Sequence, residues 1–174
     1  EEALHNFPFR LVYERQMLNH LAEQPRDFRG AFHRLPEKLR QLFIQADQSY
    51  LFNKFLSQRI QHGLSLKKAR RGEYKIKIDG EEHFALPLIG YKQSFSMGEQ
   101  GEIEKQILEK EDVALQNFRV SSMPEISSPG GVRTALTSLI GVNIEKPKKD
   151  NANPNKKMVS LCFTLKKGSY ATVI

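Results

Sequence analysis

Between Pro36 and Gly63 the sequence keeps one helical period with no glycine or proline to interrupt it. Leu39, Phe43, Ala46, Tyr50, Asn53, Leu56 and Ile60 fall on a continuous stripe, and Phe52 and Phe55 widen it. Proline suits a first helical turn and glycine the position just past the last, so this run predicts one long helix with that stripe turned inward. Upstream, the segment from about Phe9 to Glu23 predicts a shorter helix with Tyr13, Met17, Leu18 and Leu21 inward. Pro25 stops it, and Asp27 can cap a brief successor that carries Phe28, Ala31 and Phe32.

At Glu73 the period switches from helical to alternating. Tyr74, Ile76 and Ile78 interleave with Lys75 and Lys77, Asp79-Gly80 signals a two-residue hairpin, and His83 to Leu86 returns. Leu86 to Tyr91 reads as irregular chain bound to a core. Helix resumes at about Glu99 to Lys110 with Ile103, Ile107 and Leu108 inward, and a shorter one carries Val113, Leu115 and Phe118. After Ser127-Ser128-Pro129-Gly130-Gly131, strands are expected within Val132 to Ile144, an exposed loop over Lys146 to Lys157, and a buried strand at Val159, Leu161, Phe163 and Leu165. Helices and hairpins come in separate blocks and not in βαβ alternation, so the fold class is α+β: a helical amino-terminal part, then mixed helices and antiparallel strands.

Composition narrows the partners. In 174 residues, 27 Lys and Arg against 20 Asp and Glu leave a formal charge of +7, which favours a polyanion. The single cysteine, Cys162, excludes intrachain disulfides and thiolate-clustered metal sites and suits a reducing, cytoplasmic setting. No apolar run reaches membrane-spanning length, so no membrane partner is expected. The chain opens at Glu1 without Met and stops within the apolar run Ala171 to Ile174, which reads as a piece of a longer protein.

Five scattered histidines show no pair at metal-ligand spacing, so no metal is expected. The glycines after Ser127 lack the Gly-Lys-Ser/Thr ending of a phosphate cradle and read as a turn. Gly98-Glu99-Gln100-Gly101 shares only its two glycines with an RNA-clamping loop, and its acidic residue would repel phosphate. The basic residues are more informative because they cluster: Lys67, Lys68, Arg70 and Arg71; Lys146, Lys148, Lys149, Lys156 and Lys157; Lys166 and Lys167. One such group alone is ordinarily a solvated face, whereas three together fit contact with nucleic acid. The third group continues through Gly168, Ser169 and Tyr170, where the ring suits either stacking on an unstacked base or a core tyrosine beside a strand-end bulge.

Two segments carry a resemblance. Gln48-Ser49-Tyr50-Leu51-Phe52-Asn53-Lys54 with Leu56-Ser57-Gln58-Arg59, and Phe163-Thr164-Leu165-Lys166-Lys167-Gly168-Ser169-Tyr170-Ala171-Thr172, closely resemble stretches of the TruD family of tRNA pseudouridine synthases. Leu86 to Gly90 and Gly131-Val132-Arg133 fit between them. The resemblance implies an isomerase that breaks the bond from ribose to N1 of uracil and rejoins the ribose at C5, with no cofactor or metal and with tRNA as partner. It also implies one catalytic aspartate in a Gly-x-Lys-Asp type segment, which this sequence lacks, so the nucleophile is expected upstream of Glu1.

On the same resemblance, residues 1–64 are expected to pack on a catalytic core, 65–157 to form an insertion domain, and 158–174 to return a strand to the catalytic domain. Tyr170 is the expected active-site wall, and Ser169 and Gly168 belong to the same stretch. Arg133, Lys166 and Lys167 are expected at phosphate or ribose, while Gln48, Asn53 and Arg59 are expected to hold the long helix against the sheet. The oligomeric state is not legible. A non-catalytic RNA-binding module is the alternative, and a protein-interaction scaffold would leave the three basic groups without a task.

Overall fold

The helical period of the first third becomes three helices: α1 (Val12–Glu23), α2 (Phe28–His33) and α3 (Glu37–Gln61). The structure is a computed structural model that describes residues 6–166. Helix α1 begins at Val12 and not at Phe9, because Leu11 N–H closes a turn onto Pro8 O (3.1 Å). Asp27 caps α2 as its side chain predicts, accepting from Gly30 N–H at 2.9 Å, and it also meets His20 Nε2 at 2.8 Å. Helix α3 ends in a left-handed Gly63 (φ +67°), with Leu64 N–H bonded back to Arg59 O at 3.1 Å, so the glycine here is conformationally required.

The inward face of α3 is not the one its hydrophobicity predicts. Phe43, Tyr50 and Ile60 are each about half exposed, and Ala46 and Asn53 face solvent. The buried face carries Arg40, Gln48, Leu51, Phe52, Phe55 and Arg59. Three of those six are polar, so a periodicity reading discounts the face. It is nonetheless buried because each polar member finds an internal partner: Arg40 with Glu125, Gln48 with Ile89 O and Ser128, Arg59 with Glu73.

Strands β1 (Lys75–Ile78) and β2 (Glu81–Leu88) form the expected hairpin, with Ile78 opposite Glu81. Asp79 (φ +53°) and Gly80 (φ +89°) both occupy the left-handed region that its two-residue turn demands. Beyond the hairpin, β2 continues through the stretch expected to be irregular. It runs to Leu88, with Ala85 opposite Thr134 and Leu88 opposite Gly131 of β3 (Gly131–Thr134). Pro87 is tolerated in this strand because β1 ends opposite Phe84, so the missing N–H falls on a side left open.

Helix α4 (Gly98–Lys110) turns Ile103, Ile107 and Leu108 inward as its spacing predicts. With Leu51, Phe52, Phe55, Phe84, Leu86, Ile89 and Phe118 these residues form the core between α3, β2 and α4. The expected helix after Val113 is a short 3-10 turn, Leu115–Phe118, and a second follows at Pro124–Ile126.

Residues 140–164 form a long hairpin. Strand β4 (Ile140–Ile144) pairs antiparallel with β7 (Leu161–Thr164), while β5 (Lys148–Lys149) pairs with β6 (Lys157–Met158) near the tip. The stretch expected as a simple loop is therefore exposed but ordered by a ladder. Strand β7 is not buried as expected: Leu161 is 53% and its partner Ile144 64% exposed, and Phe163 is half-buried. The class is α+β, with antiparallel sheets throughout.

Candidate nucleic-acid interface

Three of the singled-out segments meet at one groove. From α3, Gln48 Nε2 donates to Ile89 O (2.6 Å) and to Ser128 Oγ (2.8 Å), tying the helix to the end of β2 and to the loop before β3. That loop lies directly on β2. Tyr91 N–H bonds Ser128 O and Lys92 N–H bonds Pro129 O, and a Cβ on Gly90 would come within 2.0 Å of Gly130 N. Both glycines are thus required by a backbone-to-backbone approach, Gly130 also by its φ of +91°.

Arg133 projects from β3 into the same place. Its guanidinium lies 5.2 Å from the centre of the Phe52 ring, and Nη1 makes one long contact, 3.5 Å, to Ser49 Oγ. Most of its donors therefore remain available to a ligand. The groove encloses about 470 Å³ and is lined by Gln45, Gln48, Ser49, Ser128, Gly131 and Arg133 among others. Chemically it offers a cation beside an aromatic ring, two amides and two hydroxyls, a set suited to phosphate or ribose oxygens.

Lys166 stands elsewhere. It pairs with Asp79 at the β1–β2 turn, and this pairing holds the Asp79 carboxyl below its ordinary range. It lines a second groove, of about 450 Å³, together with Lys67, His83 and Thr134, and this lining shares no residue with that of the Arg133 groove. Lys67 of the first basic group and Lys166 of the third thus line one groove, whereas Arg133 and Lys166 are not brought together. Lys167, Gly168, Ser169 and Tyr170 lie outside the described residues.

Arg59 belongs to neither groove. Fully buried, it donates from Nη1 to Glu73 and Gln100 (both 2.9 Å), from Nη2 to Glu73 (3.1 Å) and from Nε to Ser65 O (2.9 Å), with Phe84 3.8 Å beneath. It holds α3 to its surroundings as expected, as does Gln48, whereas Asn53 faces solvent. The sequence reading missed the rest of this network. Glu104, also fully buried, accepts from Ser96 N–H and Oγ (both 2.8 Å) and from Gln100 Nε2 (3.1 Å), and burial pushes its carboxyl above the ordinary value. The available signal was Gln100 and Glu104 standing at i, i+4 on the face of Ile103 and Ile107.

Three of the five aspartates have a local task. Asp27 caps α2, Asp79 turns the first hairpin, and Asp150 accepts from Ala152 and Asn153 in a turn. Asp112 takes a left-handed turn conformation (φ +55°), and Asp47 stands exposed on α3, its carboxyl raised by partial desolvation and then by Glu111. Among the described residues no three His, Cys, Asp or Glu are grouped to hold a metal, and no helix is long and apolar enough to cross a membrane.

Comparison with known proteins adds the family. The sequence model of tRNA pseudouridine synthase D (TruD) matches residues 1–83 and 76–174. A Methanopyrus kandleri protein named "Probable tRNA pseudouridine synthase D" is 41% identical across all of this chain, and a Methanococcoides burtonii protein of the same name is 36% identical across 99% of it. The chain spans only 41% and 45% of those two proteins. A crystal structure of a Methanosarcina mazei protein described as "Putative tRNA pseudouridine synthase D (TruD)" superposes with a TM-score of 0.85 at 33% identity, over 99% of this chain and 45% of that one. With both matched segments together spanning its length, the chain belongs to the TruD family.

Proposed function

We propose that this chain is part of a tRNA pseudouridine synthase that isomerises a uridine in tRNA to pseudouridine. In that reaction the bond from ribose C1′ to N1 breaks, a bond from C1′ to C5 forms, and the hydrogen of C5 is lost to solvent while N1 regains one. The observation that carries the reading is the family match over both halves of the chain, joined to the meeting of three family-like segments at the Arg133 groove.

In this reading Arg133 contacts phosphate or ribose from its groove, Lys166 contacts phosphate or ribose from the second groove, and Lys167, next in sequence, has the same role. A uridine within folded RNA must leave its stack before any carboxylate reaches it, at a cost of a few kcal/mol. Stacking on Tyr170, beside Gly168 and Ser169, offsets about 1–3 kcal/mol of that. The catalytic aspartate, in this reading, comes from outside these 174 residues, since the family's Gly-x-Lys-Asp type segment is not among them. The segment 158–174 is, in the same reading, assigned to the catalytic domain.

Pseudouridine formation in tRNA by the protein that carries this chain, and none by the 174 residues alone, is the expected outcome. Turnover by the 174 residues alone would refute the placement of the nucleophile, and tRNA binding without turnover by the whole protein would favour a non-catalytic RNA-binding module.

A further inference from the structure

The β5–β6 ladder sets one cation directly against another. Lys149 stands directly opposite Lys157, and Lys148 opposite Met158. Residues directly opposite in an antiparallel pair have their Cβ atoms roughly 5 Å apart, a distance at which two cations destabilise the hairpin. Folding alone gives no reason for this choice. The charge is not neutralised nearby either: Lys148 is bridged by Glu145 at 2.7 Å, but Lys146, Lys149, Lys156 and Lys157 make no ion pair among the described residues.

The second acid of the hairpin is also committed elsewhere. Asp150 accepts from Ala152 N–H (2.8 Å), Asn153 N–H (3.1 Å) and Asn153 Nδ2 (2.8 Å). Its own N–H bonds Lys156 O at 3.1 Å, and Asn155 turns the chain at φ +69°. The acid therefore builds the turn and leaves the lysines unpaired, so the tip is an ordered, exposed platform of uncompensated cations.

We infer that this lysine hairpin, residues 145–158, is a docking element for the phosphate backbone of RNA, separate from the grooves of Arg133 and Lys166. The partner is a nucleic acid because residues 149–157 carry dense positive charge with no aromatic or large apolar side chain among them, the exposed Met158, Ile144 and Leu161 lying toward the base of the hairpin, and such a tip recognises phosphates and reads no sequence. The inference rests on the tRNA reading above. It adds where the affinity, as opposed to the chemistry, comes from.

The test is a salt titration of RNA binding by the protein that carries this chain, using a tRNA transcript and an unrelated RNA hairpin as probes. Lys149→Ala with Lys157→Ala should flatten the slope of log K against log salt by about 1.5 and weaken both RNAs alike, about tenfold near physiological salt. Lys149→Glu alone should weaken binding at least as much while raising or preserving the melting temperature, since it replaces a repulsive cross-strand pair by an attractive one. Binding and salt slope unchanged in both variants, with wild type binding normally, would overturn the hairpin's role and leave the tRNA reading intact. A wild-type protein that binds neither RNA would overturn both.

Discussion

Gly90 and Gly130 touch backbone to backbone: a Cβ added at Gly90 would lie 2.0 Å from Gly130 N and 2.4 Å from its Cα. No flexible side chain is available to move aside, so the contact admits only glycine. Through it the end of β2 and the loop leading to Arg133 are held as one surface. Gly90→Ala should therefore destabilise by about 3 kcal/mol, or prevent folding, as overpacking against backbone does. Denaturant unfolding measures this, and a loss below about 1 kcal/mol would contradict the close approach.

Arg59 and Glu73 form an ion pair buried on both sides. Removing one partner leaves an unpaired charge in a site without solvent access, and such losses run to about 3–5 kcal/mol. Arg59→Leu should be severely destabilising by thermal unfolding, whereas Asn53→Ala, exposed on the same helix, should stay within about 0.5 kcal/mol.

Legibility followed the chemistry of each element. The Asp79-Gly80 turn, the Asp27 cap and the apolar face of α4 were readable because a local residue type dictates each. The inward face of α3 was not, because its burial depends on Glu73, Gln100, Ser128 and Glu125, far along the chain from the residues they satisfy. The same holds for the candidate site. Its segments were named from the sequence, but that Arg133 joins Gln48 while Lys166 joins Lys67 is a matter of tertiary placement.

Burial raises the Glu104 carboxyl above the ordinary 4.5, so the folded state holds its proton more tightly than the unfolded state. Stability from this group is greatest below 4.5 and falls as pH rises from there through the raised value. Wild type compared with Glu104→Gln should lose stability across that window. Parallel curves for the two proteins would show that burial exerts no such effect.

Arg133 is held by one long hydrogen bond and by the Phe52 ring, so Arg133→Ala should cost stability only about 0.5–1 kcal/mol. Its effect on tRNA should be larger, with KM raised several-fold or more and Arg133→Lys a poor substitute, since an ammonium does not present a planar fork. Steady-state kinetics decide, and an unchanged KM would remove Arg133 from the interface.

In the proposed reaction the protein carrying this chain converts uridine to pseudouridine in tRNA, with Tyr170 as a wall for the unstacked base. The most direct measurement is release of tritium from tRNA labelled at uracil C5, for wild type and Tyr170→Ala. The account predicts release by wild type and a drop in turnover for the variant much larger than its loss of tRNA affinity. Absence of release from any tRNA by the wild-type protein would contradict the account.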